Sequence, residues 1–314
     1  WPPIPYSSLL LLVGFVPLLV AIENIIRGDY TNKGSKIFWT AFLTGFVWNT
    51  ASIYWVFNAM NAMLPAWVSL LIALIPWGLA PLLMASAFRL YYQLRKKQAI
   101  ITSFVGLVSF WIAYEYLHQT WDLAFPWMTL GNGFANFHQI IQWYSITGVY
   151  GGTLWIWLVN ILAFLFYWQH KHHIAVYSQK VLLSTTIGTI IVPILISIVQ
   201  YTSYEEPINP SQIVVVQPNI DPYQKFGTIT PAEQLETLIS LSKSVAKPNT
   251  EFFIWPETAI SEQGGISEED YRQYPSYERI VRFLDEYHNG NVLSGIESYS
   301  IYQDAQTPTA RQFG

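Results

Sequence analysis

The stretch Phe252–Ile260 reads FFIWPETAI, placing one carboxylate, Glu257, directly after an apolar and aromatic run and a proline. Proton transfer is the chemistry such an acid can carry. Flanked by Trp255, Pro256 and an apolar strand, Glu257 is expected to be partly desolvated. Desolvation raises a carboxyl pKa toward the range where it takes and returns protons near neutrality. The plainer alternative is a solvated acid at a strand end, capping the turn that follows. Position alone leaves these two readings equal. The chain holds no cysteine, so it has no disulfide, no thiolate metal site and no Cys nucleophile of its own. His170, His172 and His173 cluster in one polar loop, but no nearby acid or thiol completes a ligand set. A juxtamembrane polar loop is the expectation there, with neither metal nor cofactor.

The elements around Glu257 are those of an α/β domain. SYEEPINP is a polar linker, and QIVVVQPNI is a β-branched run of the kind that makes a fully buried strand. TPAEQLETLISLSKSVAK starts a helix with Thr230 as N-cap, Pro231 at the first helical position and Glu233 at the third. EFFIWPE is the second strand. PSYERIVRFLDEYH is an amphipathic helix ended by Asn289-Gly290, and NVLSGIES is a third strand. Alternating strands and helices imply a parallel sheet with functional residues just past the strand ends, where Glu257 lies. Gln217 and Asn219, near the first strand end, are expected to satisfy backbone groups.

The chain before this region reads differently. Across 314 residues, 52% are hydrophobic and only 11% charged, against about 25% charged in ordinary soluble domains. The 14 Trp and 20 Tyr are the types that gather at bilayer interfaces. A net charge of −4 supplies no basic field and argues against a nucleic-acid partner. A helix needs roughly 20 mainly apolar residues to cross the hydrocarbon layer. Six segments qualify, at about Tyr6–Ile26, Ile37–Phe57, Pro65–Tyr92, Ala99–Leu117, Ile140–Trp168 and Val181–Tyr201. Glu23 and Glu115 lie within or near the ends of spans and are expected to snorkel to an interface. Loops one, three and five carry Lys or Arg; loops two and four carry neither. That alternation places the basic loops in the cytoplasm, and Trp1 and everything after Tyr201 on the outer side. The expected organisation is a helical membrane domain over 1–201, a linker over 202–211, and the first part of an α/β domain over 212–314. Opening on Trp1 and closing on TARQFG, the chain is read as a segment of a longer protein.

VVVQPNI, a helix, and then FFIWPETAI together resemble the start of the nitrilase-type hydrolase domain of apolipoprotein N-acyltransferases. AFPWMTLGNGFANFHQIIQWYSITGVYGGTLWIWLVN, from Ala124 to Asn160, resembles the same family's membrane region, with its Phe-Pro-Trp turn and Gly-Val-Tyr-Gly helix start. GFVWNTASIYWV fits an earlier family helix. The resemblance implies a multi-pass protein of the bacterial inner membrane with a periplasmic nitrilase-like α/β sandwich. Such an enzyme moves an acyl chain from a phospholipid to the free amine of a diacylglyceryl-cysteine lipoprotein. Its Glu-Lys-Cys set works through a thioester acyl-enzyme. Glu257 matches the family Glu. No lysine follows Lys247, so the Lys and Cys are expected outside this chain, which alone is expected to be inactive. Phe226, in YQKFGT, falls where the family has an aromatic after a basic residue, and either touches an acyl chain, orders that loop or is core. Phe125, Pro126 and Trp127 are candidates to line a lipid access route; an interfacial aromatic belt explains them equally. Two rivals remain: a membrane-anchored amidase or nitrilase, and a non-catalytic membrane scaffold of the same fold.

Overall fold

The structure is a computed structural model that describes residues 6–174, 176–205, 210–221, 225, 228–262 and 264–301. The chain divides into two compact units, Trp1–Glu205 and Glu206–Gly314.

The first unit is a helical bundle. A 3-10 turn, Ser7–Leu12, leads into α1 (Val16–Arg27). It is followed by α2 (Lys33–Ser52), the short α3 (Trp55–Asn61), α4 (Ala66–Arg95) and α5 (Ile100–Thr120). Two 3-10 segments, Pro126–Met128 and Leu130–Ile140, precede α6 (Tyr144–His172) and α7 (Gln179–Ser203). Among the described residues, five stretches are long and apolar enough to cross a membrane: Ser7–Arg27 and helices α4, α5, α6 and α7. This is a multi-pass membrane architecture. The expected second span falls on α2, which carries Lys33, Lys36, Thr40, Thr44, Asn49 and Thr50 and is not among those five. It packs along α4 all the same. Arg89 lies over Gly34, Gly45 meets Pro81 and Met84, and the Trp77 indole donates to the Ile53 carbonyl at 3.1 Å. Small residues make that close approach possible where lipid supplies no hydrophobic drive.

Aromatic rings fill the bundle centre. Phe15 stacks on Trp157 at 4.6 Å, and Trp111 meets Trp157 edge-on at 5.0 Å. Neither glutamate snorkels. Glu23 is buried and pairs with Arg27 at 2.6 Å and with Arg95 at 3.4 Å. Glu115 is buried among three donors. Each acid found partners on other segments, so neither had to reach water.

In the second unit, β1 (Gln212–Val215), β2 (Thr250–Ile254) and β4 (Asn291–Leu293) form a parallel sheet in the order β1-β2-β4. A smaller parallel pair joins β3 (Ile266–Ser267) to β5 (Ser298–Tyr299). Helices α8 (Pro231–Val245) and α9 (Pro275–Leu284) contribute Leu235, Leu238, Ile239, Ile280 and Phe283 to a core with Val214, Phe253 and Trp255. The Thr230 capping box forms as the sequence suggests: Glu233 N–H donates to Thr230 Oγ1 at 3.3 Å, and Thr230 N–H donates to Glu233 Oε2 at 2.8 Å. The first strand departs from expectation. Val214 is buried, but Ile213 and Val215 are exposed, because side chains alternate along a strand and only Val214 points into the helix-covered core.

Candidate active site

Glu257 is carried just beyond the end of β2, at the carboxyl edge of the sheet. The strand's last turn outward is anchored by Trp255. Its N–H donates to the Leu293 carbonyl at 2.9 Å, and its buried indole donates to Ser242 Oγ of α8 at 3.0 Å. Pro256 then removes a donor, and the chain leaves the sheet. Trp255 points into the core while Glu257 points out of it, so the expected desolvation is absent and the Glu257 side chain is exposed.

The backbone that carries Glu257 is held on two sides. Gly295, following β4, donates to the Pro256 carbonyl at 3.3 Å, and its own carbonyl accepts from Ala259 and Ile260 at 3.1 and 3.2 Å. A Cβ at Gly295 would lie 2.7 Å from the Thr258 nitrogen and 2.9 Å from the Glu257 Cα, so only glycine fits. On the other side, Lys225 Nζ donates to the Glu257 carbonyl at 3.2 Å. Lys225 is itself held by Gln234, a buried residue of α8 whose amide donates to the Lys225 carbonyl at 2.6 Å and the Ile229 carbonyl at 3.1 Å.

These groups surround an open cleft of about 500 Å³, lined by Gln217, Asn219, Lys225, Gln234, Glu257, Thr258 and their neighbours. Asn219 and Thr258 both have positive φ, 52° and 51°. That conformation is uncommon for asparagine and strained for a β-branched residue, and such strain gathers where a structure fixes a functional loop. The arrangement can hold one carboxylate in a solvent-reached cleft with its main chain immobile and an ammonium group alongside.

Of the residues singled out from the sequence, Gln217, Asn219 and Glu257 share this cleft. Phe226 lies outside the described residues. Phe125, Pro126 and Trp127 belong to the helical unit, where Pro126–Met128 is a 3-10 turn and Trp127 is 59% exposed, edge-on to Trp55 at 5.9 Å. His170 and His172 stack on Phe166 and Trp168 of their own helix, and no group of three His, Cys, Asp or Glu among the described residues is placed to hold a metal. The sequence reading missed Lys225, Gln234, Thr258 and Gly295. An isolated glycine at the end of the NVLS strand was the one available signal.

Comparison with known proteins supplies the family. The chain is 26% identical to the apolipoprotein N-acyltransferase of Chlorobaculum tepidum, over 83% of this chain and 46% of that protein. It is 25% identical to the one from Geobacter metallireducens, over 82% and 48%, and 23% identical to the one from Borreliella burgdorferi, over 94% and 55%. The chain thus spans about half the length of these curated relatives. A family model, the apolipoprotein N-acyltransferase N-terminal domain, matches residues 1–162. With half of its length covered by that model, the chain belongs to the apolipoprotein N-acyltransferase family.

Proposed function

We propose that the complete protein transfers an acyl chain from a membrane phospholipid to the N-terminal amine of a diacylglyceryl-cysteine lipoprotein, with Glu257 as its general base. The second unit is read as the beginning of a nitrilase-like domain, with residues 1–201 forming the membrane domain, 202–211 the linker and 212–314 part of the catalytic domain. In the first step Glu257 takes the proton of a cysteine thiol, whose sulfur attacks the phospholipid ester carbonyl. The tetrahedral oxyanion, stabilised by a lysine, collapses to a thioester and releases the lysophospholipid, which carries the returned proton. In the second step Glu257 takes a proton from the lipoprotein amine as it attacks the thioester, and the thiol is regenerated. Glu257 is the member of that set present here, since the chain has neither a cysteine nor a lysine after Lys247. Phe226, Pro126 and Trp127 are assigned to contacts with acyl chains.

The observation that carries this reading is the clamped, open acid at a sheet's carboxyl edge in a membrane chain of this family. Both substrates hold long chains that resist leaving the bilayer, at about 0.8 kcal/mol per buried CH₂, and a tethered active site avoids that extraction. Orientation is read from charge. Contacts of Arg27 with Trp168, Arg95 with Glu23, and Arg89 with Gly34 gather the three basic loops at one end of the bundle. By the positive-inside bias that end is read as cytoplasmic, and the second unit as periplasmic at the inner membrane.

The test is acyl-enzyme formation in the complete protein. Incubated with phospholipid, the wild type gains the mass of one acyl chain, while Glu257→Gln remains folded and unacylated. Normal acylation of that variant would remove Glu257 from the mechanism. Release of ammonia from small amides, with no acyl adduct, would favour the amidase rival.

A further inference from the structure

We propose that Glu115 is a positioning residue: its membrane-buried carboxylate fixes the Phe125–Trp127 turn, and through that turn the seating of a phospholipid acyl chain. The second half of this statement rests on the function proposed above; the first does not.

Glu115 lies near the end of α5 and is 2% exposed. Its Oε1 accepts from the Trp111 indole at 2.9 Å and from the Leu130 backbone N–H at 3.0 Å; its Oε2 accepts from Thr153 Oγ1 at 2.7 Å. Thr153 Oγ1 in turn accepts from Gly131 N–H at 3.2 Å. One side chain therefore joins α5, the segment after the turn, and α6. The turn's other end is tied one helical turn further along α5, where Phe125 N–H donates to the His118 carbonyl at 3.1 Å. Between these points Thr129 donates to the Pro126 carbonyl through both its N–H, at 3.3 Å, and its hydroxyl, at 3.0 Å. The segment also presses on α6: a Cβ at Gly131 would lie 2.0 Å from the Val149 carbonyl oxygen.

Packing alone does not explain an acid here. Apolar residues replacing a buried charge and its partners together are often as stable as the polar set, or more so. What an apolar residue lacks is direction. All three groups aimed at Glu115 are donors, and a carboxylate offers only acceptors, so it fixes their positions together. The outcome of that geometry is outside the core, where Trp127 is presented beside Trp55.

The experiment uses the complete protein in phospholipid nanodiscs, with Glu115→Gln, Glu115→Leu, Trp127→Ala and the Glu115→Gln/Trp127→Ala double variant. Glu115→Gln keeps the shape and turns an NH₂ toward a donor, so it reports even where Glu115→Leu fails to fold. Hydrogen exchange of peptides spanning residues 124–132 is expected to accelerate by about tenfold in Glu115→Gln, with peptides in the middle of α6 unchanged. Acyl-enzyme formation is expected to show a KM for phospholipid raised by about tenfold at nearly constant kcat. The double variant is expected to be no worse than the poorer single one, because both act through the same turn. Unchanged exchange in residues 124–132 would overturn the positioning role. A loss confined to kcat, or full additivity with Trp127→Ala, would overturn its link to the lipid. A wild type that never acylates would sink the proposed function while the exchange result still decided the role of Glu115.

Discussion

Two carboxylates, one in each unit, are held in opposite ways. At Glu115 the side chain is immobile, both oxygens are committed to donors, and the residue is closed off from solvent. At Glu257 the main chain is immobile, clamped by Gly295 and Lys225, while the side chain stands in an open cleft. An acid that organises structure uses its lone pairs to do so. An acid with the proton-transfer role proposed for Glu257 needs them available, so rigidity has to come from the peptide around it. The contrast predicts which substitutions damage the fold and which leave it intact.

The largest effect is expected from Glu115→Leu, which strands the Trp111 indole, the Leu130 N–H and the Thr153 hydroxyl in the bundle. At about 1–3 kcal/mol for each buried group left unpaired, the loss is about 3 kcal/mol or more, measured by thermal unfolding in detergent. A loss below 1 kcal/mol would break the contrast. Next comes Gly295→Ala, whose methyl group meets the Thr258 nitrogen. It is expected to cost about 1–3 kcal/mol and to displace Glu257, seen as slower acylation in the complete protein. Thr230→Ala, which removes a cap from α8 and touches neither acid, is expected to cost about 1 kcal/mol with no change in acylation beyond that loss.

A smaller effect follows from pH. The Thr230 N–H and hydroxyl hold the Glu233 carboxyl below the usual glutamate range of about 4.3. A depressed folded-state pKa means that the capping contribution is complete above the unfolded value and disappears as pH falls through the folded one. Helix α8 is therefore expected to fray first in acid, and Glu233→Gln to abolish that pH dependence in hydrogen exchange. The smallest effect belongs to Glu257→Gln, expected to change stability by less than about 0.5 kcal/mol because its side chain is exposed. A stability loss as large as that of Glu115→Leu would erase the distinction between the two acids.

Much of the fold was legible along the chain. Apolar stretches near 20 residues marked five of the membrane-crossing helices, and Thr230-Pro231 with Glu233 marked the start of α8 to the residue. The place of Glu257 just past a strand was legible because an acid after an apolar run and a proline stands out locally. The expected span at α2 is the polar exception: its length fits, while its Lys, Thr and Asn content leaves it outside those five. The desolvation of Glu257 was misjudged because Trp255, two residues before it, points the opposite way in space. Glu23 and Glu115 were misjudged because their partners are distant: Arg95 lies 72 residues from Glu23, and Thr153 lies 38 from Glu115.

Composition, periodicity and capping residues thus determined by themselves where this chain is helical, where it meets lipid and where an acid ends a strand. These depend on interactions within a few residues or with a uniform solvent, and both can be read along a line. Which acid is saturated and which is open, and why glycine stands at position 295, were decided only by the tertiary structure. Hydrogen bonds and steric contacts reach about 3 Å, and only folding brings residues 115 and 153, or 257 and 295, within that distance.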